Sequence, residues 1–400
     1  MIYCFKKNVI QMQDIKILHL SFSDSNGGAG IAASRLHKYL LESDIDSHFI
    51  CFKSEAKHSE NMSQYGDWVK NTKRVFLNKV NKLLNIFDDK QSSIRSMNIN
   101  STNVAEYINK HNPDYLIMHW INGEACSIED LKKIKKNIKI IWWCHDMWPF
   151  NGTYHNNFSV SDSHISKRIE DYFFLRKLNF VQEMNVNFIC PSRWLSEIAK
   201  ETYTNQKCDV VPNLIPKQLI KIYDKLDSRE ELGLDKYKKI ISFAAIGGSQ
   251  DPTKGGKYLN NIIRRLNRDD IKFIVIGGEK NLNDDAKNIE FVGHLDDFET
   301  INKYYCASNI FINTSIIENY PNTLVESILS GTPVVAFDVG GVSSIINENN
   351  GSLVRFEDID SYISEIEYWL NKEVDSLKVS KSLKDKVQDE GFRDFLKSLT

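Results

Sequence analysis

Short apolar runs alternate with segments whose apolar residues recur at three- and four-residue spacing along almost the whole chain. Residues 15–22 (IKILHLSF) read as a buried strand. The stretch SDSNGGAG and the helical pattern IAASRLHKYLLES follow it. Further strands are predicted at 47–54 (SHFICFKS), 115–120 (YLIMHW), 138–144 (IKIIWWC) and in NFICPS, which ends near Ser192. The pattern restarts in the second half, with strands at 239–246, 271–278, 289–292, 309–315 and 333–337 and helices at 297–307 and 360–370. Strand–helix alternation of this kind predicts an α/β protein built on parallel, doubly wound sheets covered on both faces. The stretch 209–216 (DVVPNLIP) reads as an extended connection, so the boundary between two domains is expected there. The expected division is 1–210, 211–380 and a C-terminal helical segment, 381–400, free to pack back on the first domain. The last helix is predicted within 383–399.

The most informative stretch is 318–326, ENYPNTLVE. Pro321 suits the first position of a helix, where a missing N–H costs nothing. Gly331 suits the left-handed position after its end, and Pro333 stops continuation. The helix is therefore expected over about 321–330, between two strands. Glu318 falls on the loop before it and Glu326 inside it. In parallel sheets, ligands bind at the carboxyl ends of strands, and a helix start favours an anion. A carboxylate beside such a start suits a ligand with both hydroxyls and phosphate, as a nucleotide-activated sugar has. The plainer alternative is a pair of surface carboxylates that complement the helix dipole.

Other positions add to this picture. Gly28, Gly30 and Ala33 fit the spacing G-x-G-x-x-A after a strand. The acidic residue that a dinucleotide would need at the end of the second strand is replaced by Lys53. A backbone approach to phosphate or sugar and a purely structural turn both remain open there. His145 and Asp146 stand at a strand's carboxyl end ahead of aromatic residues and a glycine turn, a place where ligands are presented. Lys254 lies in a strand-to-helix turn (KGG, 254–256) that lacks the P-loop pattern yet suits a diphosphate. Residues 66–87 form an amphipathic basic segment. It reads either as a helix packed on its own domain with a solvated basic face, or as a contact with an anionic membrane surface.

Composition narrows the classes. Four hundred residues, 42% hydrophobic and 26% charged, suit two globular domains. A formal net charge of −2 gives no electrostatic case for nucleic-acid binding. Seven scattered cysteines without a CxxC pair suggest reduced thiols and a cytoplasmic protein, not a disulfide framework or zinc site. No signal-peptide core and no run long enough to span a bilayer is read in the sequence.

Taken in order, GGAG at 27–30, HD at 145–146, PSRWL at 191–195, VPN at 211–213, KGG at 254–256, E-x7-E at 318–326 and GTPVVAFDVGG at 331–341 resemble the GT-B retaining glycosyltransferases of glycosyltransferase family 4. The resemblance spans nearly the whole chain. The run HDMWPFNGTYH resembles a subgroup that assembles bacterial surface polysaccharides, O-antigen among them. The resemblance implies two Rossmann-like domains facing across a cleft, the first on the acceptor side and the second binding the nucleotide sugar. His145, Glu318 and Lys254 become the expected catalytic residues. Glu318 would contact donor-sugar hydroxyls, Glu326 the ribose, Lys254 the diphosphate and His145 the sugar near its reacting carbon. Gly28, Gly30, Gly248, Gly293, Asn319, Tyr320, Asn322 and Thr323 complete the implied binding set. The chain departs from many members at Gly247, Gly248 and Ser249, where an arginine that helps hold the diphosphate is missing.

The expected activity is retaining hexosyl transfer from a nucleoside-diphosphate sugar to a glycan or lipid-linked acceptor, in the cytoplasm or peripheral at the membrane's inner face. No cofactor, no metal and no nucleic acid are expected. A nucleotide-sugar epimerase on the same fold and a non-catalytic nucleotide-sugar-binding protein are the alternatives. A glycoside hydrolase using the two glutamates fits less well, because its carboxylates flank the bond from opposite sides.

Overall fold

The computed structural model describes residues 15–25, 27–54, 61–65, 68–83, 94–157, 163–236, 238–244, 252–277, 288–295, 297–388, 392 and 395–397. Gly248 and its neighbours Gly247 and Ser249 lie outside the described residues, as do residues 66–67 and 84–87 of the basic segment. The chain divides into two compact units, one of residues Met1–Val211 and Phe395–Thr400, the other of Pro212–Asp394.

The first unit contains β1 (Lys16–Ser23), α1 (Gly27–Glu42), β2 (Asp46–Lys53), β3 (Met62–Gln64), α2 (Trp68–Leu83), α3 (Val104–His111), β4 (Tyr115–Met118), α4 (Ile128–Leu131), β5 (Lys139–Trp143), α5 (His164–Glu183), β6 (Asn187–Cys190), α6 (Arg193–Thr202) and β7 (Cys208–Val210). Its strands form one sheet in the order β3-β2-β1-β4-β5-β6-β7, with every pair parallel. The stretch read as a linker at 209–216 thus begins as an edge strand, because Phe188, Ile189 and Cys190 pair with Cys208, Asp209 and Val210.

The second unit contains α7 (Lys225–Glu231), β8 (Lys239–Ala244), α8 (Gly256–Arg265), β9 (Ile271–Ile276), β10 (Ile289–Gly293), α9 (Phe298–Ala307), β11 (Ile310–Asn313), α10 (Asn322–Leu329), β12 (Val334–Phe337), β13 (Gly351–Val354), α11 (Ile359–Asn371) and α12 (Ser376–Val387). Its sheet runs β10-β9-β8-β11-β12-β13, again parallel throughout. Alternate residues of one strand enter different cores. Ile240, Ile274, Phe311 and Val334 pack on one face. Ile241, Phe273, Ile312 and Val335 pack on the other. That explains why these strands read as unbroken apolar runs.

In both sheets the strand order reverses at one place, between β1 and β4 and between β8 and β11. Ligand sites of open parallel sheets form outside the carboxyl ends of strands at such reversals. The fold is therefore α/β with two doubly wound parallel sheets, as the alternation predicts. One expected bound shifts: Pro321 is the residue before α10, not its first helical position, and Asn322 begins the helix. A helix at Ser376–Val387, with Asp375 capping Leu377 and Lys378, precedes the helical residues 392 and 395–397, which lie within the predicted 383–399.

Candidate active site

In the second unit, the site forms where β11 runs out. Lys254 Nζ stands 2.6 Å from Glu318 Oε1, and Ser315 Oγ donates to the same oxygen at 2.8 Å. Glu318 is mostly buried, with 12% of its side chain exposed, whereas Lys254 keeps 30%. The two loops that carry this pair are joined by backbone. Ile316 N donates to Thr253 O at 2.9 Å, and Thr314 Oγ1 donates to Lys254 O at 3.1 Å. On the other side, Gly341 N donates to Glu318 O at 2.9 Å.

Gly255 makes the closest of these approaches. Its φ is +66°, and a Cβ there would fall 1.8 Å from Thr314 O. Gly255→Ala therefore loses about 2 kcal/mol or more of stability, since the left-handed backbone alone costs an L residue roughly 1–2 kcal/mol. Calorimetric unfolding of the variant checks this, and an unchanged Tm refutes the tight approach.

Glu326 sits one turn inside α10 and is 6% exposed, with the Tyr305 hydroxyl donating to its Oε2 at 3.4 Å. Asn322 Oδ1 accepts from Asn213 Nδ2 at 3.0 Å. Tyr320 is buried, which raises its phenol, while Asn319 and Thr323 are half-buried beside it. Gly293 ends β10, two strands away from β8, and its carbonyl accepts from Gly277 N at 2.7 Å. The structure thus gathers Lys254, Glu318, Asn319 and the start of α10 at one sheet edge.

The first unit holds Gly28, Gly30 and His145. The glycines do not form a loop before the helix; they are the first turn of α1 itself. Gly30 packs so closely on the end of β1 that a Cβ would stand 2.9 Å from Ser23 O. Asp24, just before this turn, is buried and accepts from Ser25 Oγ at 2.8 Å and Ser54 Oγ at 2.5 Å.

His145 follows β5 and is part-buried, which lowers its imidazole to about 4 and leaves it neutral at physiological pH. Its Nε2 is 3.1 Å from His119 Nδ1, and His119 Nε2 is 2.9 Å from His19 Nδ1. His19 and His119 are buried polar residues in otherwise apolar strand segments. That misfit is the signal by which the sequence could have flagged them.

Asp146 turns the other way. It accepts from Trp148 N at 2.9 Å and Trp120 Nε1 at 2.8 Å, and its Oδ2 lies 2.8 Å from His155 Nδ1. His155 Nε2 lies 2.9 Å from Ser96 Oγ. Burial acts to raise the Asp146 carboxyl, but the neighbouring His155 and the N–H donors outweigh it and hold the group below the usual carboxylate range. Asp146, His155 and Ser96 have the connectivity of a hydrolytic triad. Yet Ser96 is buried and its hydroxyl accepts from Gly123 N at 3.1 Å. The three residues brace the loop that carries His145.

Among the described residues, no group of three His, Cys, Asp or Glu side chains is arranged to hold a metal ion, and no helix is long and apolar enough to cross a membrane.

Two doubly wound parallel units, one with a cation–carboxylate pair where its strand order reverses and the other with an imidazole beyond β5, have the architecture of the GT-B fold. The chain belongs to the family 4, group 1 glycosyltransferases. Residues 26–219 match the model described as Glycosyltransferase Family 4, and residues 239–372 match Glycosyl transferases group 1. The putative colanic acid biosynthesis glycosyl transferase WcaC of Escherichia coli is 22% identical over 86% of this chain and 88% of its own length. A 41.2 kDa protein of the cps region of Klebsiella pneumoniae is 26% identical over 44% of this chain. The same identity holds over 46% of this chain for the Escherichia coli UDP-Gal:alpha-D-GlcNAc-diphosphoundecaprenol alpha-1,3-galactosyltransferase. These two matches span about half of the relatives' lengths, 53% and 51%.

Among solved structures, sucrose-phosphate synthase from Thermosynechococcus elongatus superposes with a TM-score of 0.69 at 16% identity, over 96% of this chain and 98% of that one. Anabaena Alr3699/HepE in complex with UDP does so at 0.64 and 14%, over 96% and 100%.

Proposed function

We propose that the enzyme moves a hexosyl group from a nucleoside-diphosphate sugar to a hydroxyl of a glycan or lipid-linked acceptor, with retention at the anomeric carbon, in surface-polysaccharide assembly. The observation that carries this reading is the Lys254–Glu318 pair beside the start of α10. As the donor bond breaks, negative charge grows on the leaving diphosphate. A fixed ammonium and helix-start amides stabilise that charge without reorganising at the moment of reaction. Glu318 anchors the ammonium and accepts from sugar hydroxyls, and Glu326 serves the ribose; the family resemblance gives His145 its role toward the sugar. Asn319, Tyr320, Asn322, Thr323 and Gly293 line the donor in this reading, and the family resemblance adds Gly28, Gly30 and Gly248 to the binding set. No step is assigned to a metal or cofactor. The UDP complex of the Anabaena protein and the UDP-Gal donor of the galactosyltransferase support a nucleotide sugar. The colanic acid, cps-region and diphosphoundecaprenol relatives support a cell-surface glycan pathway.

The test is incubation with UDP, GDP, ADP and CMP sugars and a glycan or polyprenyl-diphosphate acceptor, followed by NMR of the product's anomeric proton. A glycoside with the donor's configuration is expected. An inverted product overturns retention. Sugar altered without acceptor selects the epimerase, and nucleotide binding with no product selects the binding protein.

The same reading puts the enzyme at the inner face of an anionic membrane through α2. Arg74 lies over the Phe22 ring at 5.2 Å, Asn78 donates to Gly123 O at 3.0 Å and Asn81 donates to Glu124 Oε1 at 2.8 Å. These polar contacts tie the helix to its own unit. Phe76 (64% exposed), Leu83 (57%) and Val75 (48%) point to solvent among exposed Lys73, Lys79 and Lys82. An apolar stripe flanked by cations suits the headgroup boundary, with each lysine contributing about 1 kcal/mol near anionic lipid. Sedimentation with phosphatidylglycerol vesicles is expected, falling about tenfold or more in Phe76→Glu/Lys79→Glu. Equal sedimentation of parent and variant removes the membrane contact.

A further inference from the structure

His19, His119 and His145 lie on β1 and just beyond β4 and β5, neighbouring strands of the first sheet. His19 is level with Ile117, so His119 is two residues nearer the carboxyl edge. Met118 is level with Trp142, so His145 is two residues nearer again. A two-residue step keeps the side chain on one face. The three rings thus climb diagonally from the interior to the ligand edge. They stack in sequence, with centroids 5.2 and 5.4 Å apart. Each junction joins Nδ1 of one ring to Nε2 of the next.

A neutral imidazole has one donor and one acceptor nitrogen, so the choice at one ring fixes all three. The inner end decides it. Among the described residues His19 Nε2 has no hydrogen-bond partner; it is buried beside the Phe49 ring stacked at 5.8 Å and the His37 ring set edge-on at 5.6 Å. An orphaned N–H is rarer in folded proteins than an under-used acceptor. His19 Nε2 is therefore the bare nitrogen and Nδ1 carries the proton. His19 then donates to His119, and His119 Nδ1–H donates to His145 Nε2.

We propose that His19 and His119 are positioning residues that hold His145 as its Nδ1–H tautomer, so that His145 meets its ligand as a hydrogen-bond donor and not as a base. This rests on the transferase reading for its consequence, since the ligand atom concerned is an oxygen of the donor sugar. The tautomer itself is independent of that reading. An N–H donor holds a hydroxyl in place without removing its proton, which suits a group beside the reacting carbon.

The experiment is heteronuclear NMR of the full chain labelled with [15N]histidine, with the His145 ring assigned by its loss in His145→Gln. The parent is expected to show a protonated Nδ1 and a bare Nε2. His119→Phe, which keeps a ring but no nitrogen, is expected to move the proton to Nε2. Its kcat should fall about tenfold with the donor KM changed less than about threefold. In His119→Gln the amide can accept from His19 and donate to His145, so the Nδ1–H signal and at least about a third of kcat should return. A parent with Nε2 protonated overturns the proposal, whether or not either variant folds. So does a folded His119→Phe with an unmoved tautomer or unmoved kcat. A parent that transfers no sugar under any donor removes the transferase reading instead and leaves the tautomer result standing.

Discussion

Lys254→Ala lowers kcat for sugar transfer by about a hundredfold or more, roughly 3 kcal/mol of barrier, as loss of one donor at a developing anion does. The side chain is a tip in a turn, not a core element, with 30% of its surface exposed. Removing it leaves Glu318 bonded to Ser315 and held through its backbone by Gly341, so the loop keeps its shape. Lys254 is partly exposed and Glu318 keeps its Ser315 hydrogen bond, so the loss of stability should stay at about 1–2 kcal/mol, and Tm should fall by no more than a few degrees. Loss of turnover with an intact Tm separates charge stabilisation from collapse of the site. Lys254→Arg keeps the charge and should recover part of the rate, though a planar fork does not occupy the place of a compact ammonium. Turnover of Lys254→Ala within about twofold of the parent removes the assigned role.

Acid should unfold the first unit steeply below pH 6.5. Burial lowers His19 and His119 well below their usual value, and burial with nearby positive groups takes His37 to about 4. For each, the folded pKa lies beneath the unfolded one. Below about pH 6.5 the unfolded chain binds protons that the folded chain refuses, so stability falls as pH falls and is fully present above that value. Each imidazole contributes a slope of up to about 1.4 kcal/mol per pH unit, and three together about 4. Against a total stability of about 5–15 kcal/mol, one unit of pH matters greatly. The Tm of the full chain should drop by about 10 °C between pH 7 and 5.5. In His37→Phe the slope should be shallower by about a third. A Tm that is flat across this range contradicts the neutral, buried state of the three rings.

Much of the second unit is legible in the sequence because local signals agree there with the fold. Gly331 occupies the left-handed position after α10, with φ +86°, and Asp297 caps α9 through Glu299 and Thr300. Both follow from residue chemistry at fixed offsets. Glu318 and Lys254 could be singled out for the same reason: each stands at a strand-to-helix turn, where chain order alone points to the ligand edge. The contact between them could not be read, since it depends on β8 and β11 being neighbours. His19 and His119 escaped for a like reason. Their junctions need the register of β1, β4 and β5, and register is a property of pairs of strands. The glycines of α1 read as a turn ahead of the helix because glycine disfavours helices locally; they form its first turn instead, with Gly30 packed on the Ser23 carbonyl. DVVPNLIP reads as a linker because its two prolines mask the three-residue edge strand that precedes them.

The central claim is that the donor's diphosphate sits at Lys254 and the start of α10. Thermal unfolding with saturating UDP, GDP, ADP and CMP, on the parent and on Lys254→Ala, tests it most directly. A ligand at a hundred times its Kd adds about 2.7 kcal/mol to the native state. At least one nucleoside diphosphate should raise the parent's Tm by several degrees, and the same nucleotide should leave Lys254→Ala nearly unmoved. An equal rise in both proteins, or none in the parent with any nucleotide, would contradict the account.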